Sequence, residues 1–132
     1  MFTHHTHIYL HYTDAAGRLF FANQFYFIHE AKEHFLSSLG LGIKDLLEHP
    51  TVTFPIVHAE ADYKSVLVAG DEIDISVGIE KIGETSVVFQ FTILKGDVLV
   101  GTAKTVSVAV DKQLNKKVLI PLQWRKKFEK AM

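Results

Sequence analysis

The feature that most constrains this chain is an asymmetry of period: one long helical repeat near the start, then strand repeats through most of the rest. In residues 23–39, Phe25, Ile28, Ala31, Phe35 and Leu39 recur at three- and four-residue spacing and form an apolar stripe. Phe27 and Leu36 back that stripe, so the helix is expected to be buried along much of its girth. Asn23 is placed to cap its start, and Gly40 its end, where glycine takes the left-handed conformation cheaply. Further on the period becomes two. Residues 56–68, 71–81, 85–95 and 98–110 alternate or carry β-branched side chains. The breaks fall at Ala69-Gly70-Asp71, Ile82-Gly83-Glu84 and Lys95-Gly96-Asp97, and the last two are short enough for hairpins.

Residues 4–12 also alternate, with Thr6, Ile8 and Leu10 on one face and His5, His7, Tyr9 and His11 on the other, which predicts a first strand. Residues 13–17 form a turn, 43–48 a short helical turn ended by Pro50, and 121–130 a terminal helix with proline early in it. The expected class is α+β: a five-stranded antiparallel sheet with one long helix. One helix cannot cover both faces of such a sheet, so the uncovered face or an edge is expected to pair with another subunit.

The length of 132 residues suits one domain over 1–132, and a hydrophobic fraction of 48% allows a packed core. A formal net charge of -1 leaves no electrostatic footprint for nucleic acid or an anionic membrane. With no cysteine there is no disulfide, thiolate metal site or cysteine nucleophile. Residues 1–7 lack the basic and apolar segments of a secretory signal, no apolar run is long enough to span a bilayer, and the last residues carry no lipidation or peroxisomal signal. Cytoplasm is the default expectation.

The chemistry concentrates where the first strand gives way to the helix. Thr13-Asp14-Ala15-Ala16-Gly17, then Phe20-Phe21-Ala22-Asn23, then His29-Glu30-Ala31 on the helix, resembles the active-site signature of hotdog-fold acyl-CoA thioesterases of the 4-hydroxybenzoyl-CoA thioesterase type. Pro55-Ile56-Val57-His58-Ala59 and the Val68-Ala69-Gly70-Asp71 turn extend the likeness over most of the chain. Within the family, Phe21-Ala22-Asn23-Gln24-Phe25, His29-Glu30-Ala31 and the His58 segment are most similar to the 1,4-dihydroxy-2-naphthoyl-CoA hydrolases of quinone biosynthesis. The resemblance implies a sheet wrapped round one central helix, in a homodimer that commonly pairs again to a homotetramer. It also implies an acyl-CoA substrate and no metal or other cofactor.

On this resemblance Asp14 matches the catalytic aspartate. A carboxylate either deprotonates water or attacks the thioester directly, and both routes stay open. The competing structural role for Asp14 is to shape a turn or cap a helix. Gly17 either admits the thioester closely or takes a positive φ. By its place in the motif, the Phe21 backbone N–H faces the thioester oxygen, the kind of donor whose loss costs about 3 kcal/mol in the transition state. Many family members carry histidine or tyrosine at this position, and Phe21 has no side-chain proton to give. Phe20, Asn23, Phe54 and His58 are candidate substrate contacts, His58 from the neighbouring subunit. Phe25 is assigned to the core, and Glu30 to a structural role.

Other chemistries find less support. His5, His7 and His11 share a strand face that zinc can use, but no carboxylate on the same strand joins them. Hotdog dehydratases commonly place histidine five residues after the aspartate, where this chain has Leu19. No Gly-x-Ser-x-Gly elbow occurs. A thioesterase of broad short- or medium-chain specificity and a non-catalytic acyl-CoA-binding module are the alternatives. Arg18, Lys64, Lys104, Lys112, Lys116 and Lys117 are available for the CoA phosphates, and the sequence does not choose among them.

Overall fold

The computed structural model describes residues 2–132; Met1 lies outside the described residues. The chain runs through β1 (Phe2–His7), a 3-10 turn (Leu10–Tyr12), α1 (Asn23–Ser38), α2 (Ile43–Leu47), β2 (Val52–Thr53), β3 (Ile56–Tyr63), β4 (Glu72–Ile82), β5 (Ser86–Lys95), β6 (Val98–Val108), β7 (Val110–Asp111) and α3 (Leu122–Ala131). Five strands form one antiparallel sheet in the order β1-β4-β5-β6-β3, and β2 pairs separately with β7. Alternation puts Ile73, Ile75, Val77 and Ile79 of β4 and Val87, Phe89, Phe91 and Ile93 of β5 on one buried face. Helix α1 lies on that face through Phe27, Ile28, Ala31, Phe35 and Leu36. Each such ring or branched chain contributes about 2–3 kcal/mol by burial. Helix α3 packs on the same face: the Phe89 ring meets both Phe35 of α1, at 6.4 Å, and Phe128 of α3, at 6.1 Å.

The other face of the sheet carries Asp74, Ser76, Gln90, Thr92, Thr102 and Lys104, so it needs no cover. The free element is an edge. β1 and β3 are the two edges; among the described residues β3 hydrogen-bonds only β6, and nearly all of its residues are exposed, including Ile56, Val57 and Tyr63.

Three local expectations are corrected. The first strand ends at His7 rather than residue 12, because the Ile8 N–H donates to the Asp71 carbonyl and the chain coils into the 3-10 turn. Leu10 is then 76% exposed while Tyr12 turns inward at 6%. The third strand stops at Tyr63 because the Lys64 and Ser65 N–H groups turn to the Val100 carbonyl. Asn23 is not the N-cap. Ala22 holds that position without a side-chain cap, and the Asn23 amide donates to the Tyr12 carbonyl at 2.9 Å. Gly40 does close α1, at φ 78°, with the Leu41 N–H bonded to the Leu36 carbonyl.

Candidate active site

Residues 12–20 form a small hairpin. The Phe20 N–H donates to Tyr12, the Asp14 N–H to Arg18, and Thr13 bridges Leu19. Gly17 sits in its loop at φ 76°, and a Cβ there would meet nothing within 4 Å. Of the two roles open for Gly17, the structure supplies the positive φ. The hairpin is braced against residues 67–71: Leu19 N–H bonds to Leu67, Ala69 N–H to Gly17, and Arg18 bridges Val68. Asp71 holds that brace by accepting the Val68 N–H at 2.9 Å and the Lys95 ammonium at 3.0 Å. Burial pushes the Asp71 carboxyl up, but the Val68 N–H and Lys95 outweigh it and hold it below the ordinary range.

Asp14 is exposed at the tip of this loop. Its Oδ1 accepts the N–H groups of Ala16, at 2.9 Å, and Arg18, at 3.3 Å, which orients the carboxylate. The hydrogen bonds to its carboxylate among the described residues all fall on Oδ1, so the turn role leaves Oδ2 free. Phe21 follows directly on the hairpin's other arm. Asp14 and Phe21 therefore lie on opposite sides of the Tyr12–Phe20 hydrogen bond, about three residues of extended chain apart, roughly 10 Å along the hairpin.

Phe21 opens the first turn of α1. Its carbonyl accepts the Gln24 N–H at 3.3 Å and the Tyr63 hydroxyl. Among the described residues its own N–H donates to no acceptor. The Phe21 side chain is 64% exposed, and its ring lies 5.0 Å from that of Phe20, also exposed. Two buried groups fix the helix start. The Gln24 amide reaches the carbonyls of Asp62 and Thr102, at 3.3 and 3.4 Å. Tyr12 donates its hydroxyl to Glu30, and burial first, then Glu30, pushes that hydroxyl up to about 12.

From Ala22 an apolar groove of about 380 Å³ runs along α1, lined by Phe25, Tyr26, Ile28 and His29 on the helix and by Ile56, Ala59 and Phe91 on the sheet. At its floor lie Thr105 and Lys32. The Lys32 ammonium donates to Ser107 Oγ at 2.9 Å and sits 4.4 Å over the Phe89 ring.

The other sequence candidates are not brought to Asp14 within the chain. Phe54 precedes β3, at the end remote from Tyr63 and Phe21, and its ring packs on Trp124 and Phe128 of α3. His58 is exposed on the free edge of β3, 3.6 Å from Glu60, and about 16 Å of strand from Tyr63. The strand-face histidines separate: His5 pairs with Asp74 at 2.8 Å, while His7 and His11 pack on Tyr9. Among the basic residues, Lys104 is paired with Glu80 and Lys112 caps the Leu47 and His49 carbonyls. Gln24, Tyr63 and Lys32 were missed from sequence. For Lys32 a signal existed, since it stands between Ile28 and Leu36 at four-residue spacing on the inward side of α1.

Comparisons with known proteins agree with this geometry. The thioesterase-like superfamily model matches residues 8–128. A 1,4-dihydroxy-2-naphthoyl-CoA hydrolase of Nostoc punctiforme is 34% identical over 126 residues, covering 93% of this chain and 85% of the relative. The enzyme of that name from Microcystis aeruginosa is 34% identical over 114 residues, covering 86% and 83%. The crystal structure of a 1,4-dihydroxy-2-naphthoyl-CoA thioesterase from Synechocystis superposes with a TM-score of 0.89 at 26% identity, covering 96% and 94% of the two chains. A gentisyl-coenzyme A thioesterase superposes with a TM-score of 0.83 at 27% identity, covering 95% and 98%. A five-stranded antiparallel sheet around one long helix, the Asp14 hairpin at that helix's start and these matches together make the chain a hotdog-fold member of the thioesterase-like superfamily.

Proposed function

We propose that this thioester hydrolase cleaves an aromatic acyl-CoA, with Asp14 as attacking group or base and the Phe21 N–H as oxyanion donor. One observation carries the reading: an exposed carboxylate held by one oxygen in the hairpin that leads to a helix start with an unspent amide N–H, from which an apolar groove runs along α1. In the direct route Asp14 Oδ2 attacks the thioester carbon, the C–S bond breaks, CoA leaves as thiolate, and water cleaves the mixed anhydride. In the base route Asp14 takes a proton from the attacking water. Both routes put negative charge on the thioester oxygen, where the Phe21 N–H and the start of α1 stabilise it. Gly17 keeps the loop in the conformation that presents Asp14. Phe20 flanks the entrance, and Asn23 holds it to Tyr12.

The Nostoc, Microcystis and Synechocystis relatives are named for 1,4-dihydroxy-2-naphthoyl-CoA, and that acyl group, used in making menaquinone or phylloquinone, is the substrate we propose. The free edge of β3 supports a homodimer formed by edge-to-edge pairing, with His58 brought toward the partner's groove; two such dimers would make a homotetramer. Arg18 and Lys64, next to the entrance, are the basic residues we assign to CoA phosphates. Among the described residues no helix is long and apolar enough to cross a membrane, which suits the proposed cytoplasmic site.

The test is turnover of the purified protein on dihydroxynaphthoyl-, hydroxybenzoyl-, short-chain and long-chain acyl-CoA. A preference for the aryl thioesters is expected. Equal rates across the panel would leave a broad-specificity thioesterase, and no turnover would leave a binding module. Light scattering in solution checks the dimer or tetramer.

A further inference from the structure

The floor of the groove along α1 is built from polar groups that the fold itself leaves underused. Lys32 is 4% exposed and Thr105 likewise 4%. An ammonium has three donors. Among the described residues the Lys32 ammonium spends one of them, on Ser107, and forms no ion pair. Among the described residues the buried Thr105 hydroxyl has no hydrogen-bond partner. Burial pushes the Lys32 ammonium down to about 8, with Glu33 opposing weakly. A chain that needed only an apolar slot for a hydrocarbon acyl group gains nothing from an ammonium and an open hydroxyl there, since each costs free energy to desolvate. Both line the same groove that opens at Ala22, next to the Phe21 amide.

Resting on the proposed thioesterase reading, we infer that Lys32 and Thr105 are specificity-determining residues that receive a ring oxygen of an aryl acyl group, a phenol or phenolate, at the closed end of the groove. The geometry fits in length. Ala22 and Lys32 are ten residues apart on α1, about 15 Å of rise. Side chains on a helix lean toward its N-terminus, which brings the ammonium back to roughly 10 Å from the helix start. A hydrogen bond at each end, with one or two aromatic rings between, fills that span. Phe25, Ile28 and Phe91 supply apolar walls for the rings. An unsubstituted or aliphatic acyl group would leave both polar groups buried and unpaired, so the same floor discriminates against it.

The experiment compares kcat/KM for 1,4-dihydroxy-2-naphthoyl-CoA with that for 2-naphthoyl-CoA in wild type, Lys32→Met and Thr105→Val. The ratio of the two is expected to fall about tenfold or more in Lys32→Met, and less in Thr105→Val, the scale of a charge-assisted and a neutral hydrogen bond. Calorimetric binding of free dihydroxynaphthoate against naphthoate should show the same ordering without catalysis. Equal losses on both substrates, or an unchanged ratio, would overturn the inference. If Lys32→Met fails to fold, Thr105→Val decides alone. A wild type that cleaves aryl thioesters with an unchanged ratio in both variants sinks only the role of the floor. A wild type inert on every aryl thioester sinks the proposed function, and this inference with it.

Discussion

The two ends of the groove along α1 are built from opposite materials. At the open end, Asp14 and Phe21 are exposed, and their geometry comes from backbone hydrogen bonds: a hairpin, an aspartate turn and the first turn of a helix. At the closed end, Lys32 and Thr105 are almost wholly buried, held among Phe89, Phe91 and Ser107. The open end spends almost no burial energy and can be changed chemically with little effect on folding. The closed end carries an energetic cost in the empty protein, because a charge sits in an apolar wall. Chemistry and stability are therefore expected to separate along a single helix.

Asp14→Asn tests the open end most severely. The amide keeps the Oδ1 acceptor for Ala16 and Arg18, so the loop should persist, but it cannot serve as base or nucleophile. Turnover is expected to fall about 10²–10⁴-fold, with unfolding free energy changed by less than about 0.5 kcal/mol. A folded variant with wild-type turnover would remove Asp14 from the mechanism.

Lys32→Met should do the reverse to stability. A lysine whose pKa is lowered on folding binds fewer protons than in the unfolded chain between pH of about 8 and 10.5. Stability therefore rises with pH through that window, and the full penalty applies below it. The drop corresponds to roughly 3 kcal/mol. Urea unfolding at pH 7 should show the methionine variant gaining up to about that much, less the lost Ser107 bond, with the gain shrinking by pH 10.5. A gain that does not change with pH would mean that the charge is not what the closed end strains against.

Gly101→Ala attacks the support of the open end. A Cβ there would stand 2.9 Å from the Asp62 carbonyl and 3.0 Å from the Gln24 amide, the group that pins the start of α1. The expected cost is about 1–3 kcal/mol in denaturant unfolding, together with a loss of turnover. Tyr63→Phe is the mildest change. It removes the hydroxyl that holds the Phe21 carbonyl, at a cost of about 1 kcal/mol or less. Its effect should fall on kcat rather than KM, if the Phe21 peptide acts in the transition state. Equal effects on both would assign Tyr63 to packing.

Much of the open end was legible because its determinants are local. Asp14, Gly17 and the helix start lie within ten residues, and turn chemistry and helical period are written at that range. The same locality explains the errors. Asn23 has the chemistry of a cap, but the Tyr12 carbonyl, brought alongside by the hairpin, takes its amide. Leu10 leaves the face it was expected to share with Ile8, and Tyr12 turns inward, because the first strand breaks into a 3-10 turn, which changes the side-chain period. Phe54 reads as a loop aromatic near a substrate, yet α3, some seventy residues on, claims its ring.

By itself, the sequence determined the element types, the antiparallel order of hairpins, the single long helix and the aspartate beside its start. These follow from period, turn residues and motif, all properties of neighbouring positions. Only the tertiary structure decided that β3 is an exposed edge, that Gln24 ties the helix start to Asp62 and Thr102 while Tyr63 holds the Phe21 carbonyl, and that a lysine and a threonine form the floor of the groove. Those are contacts between residues tens of positions apart. Whether a polar side chain is buried and unpaired depends on what the rest of the chain packs against it, which no local pattern records.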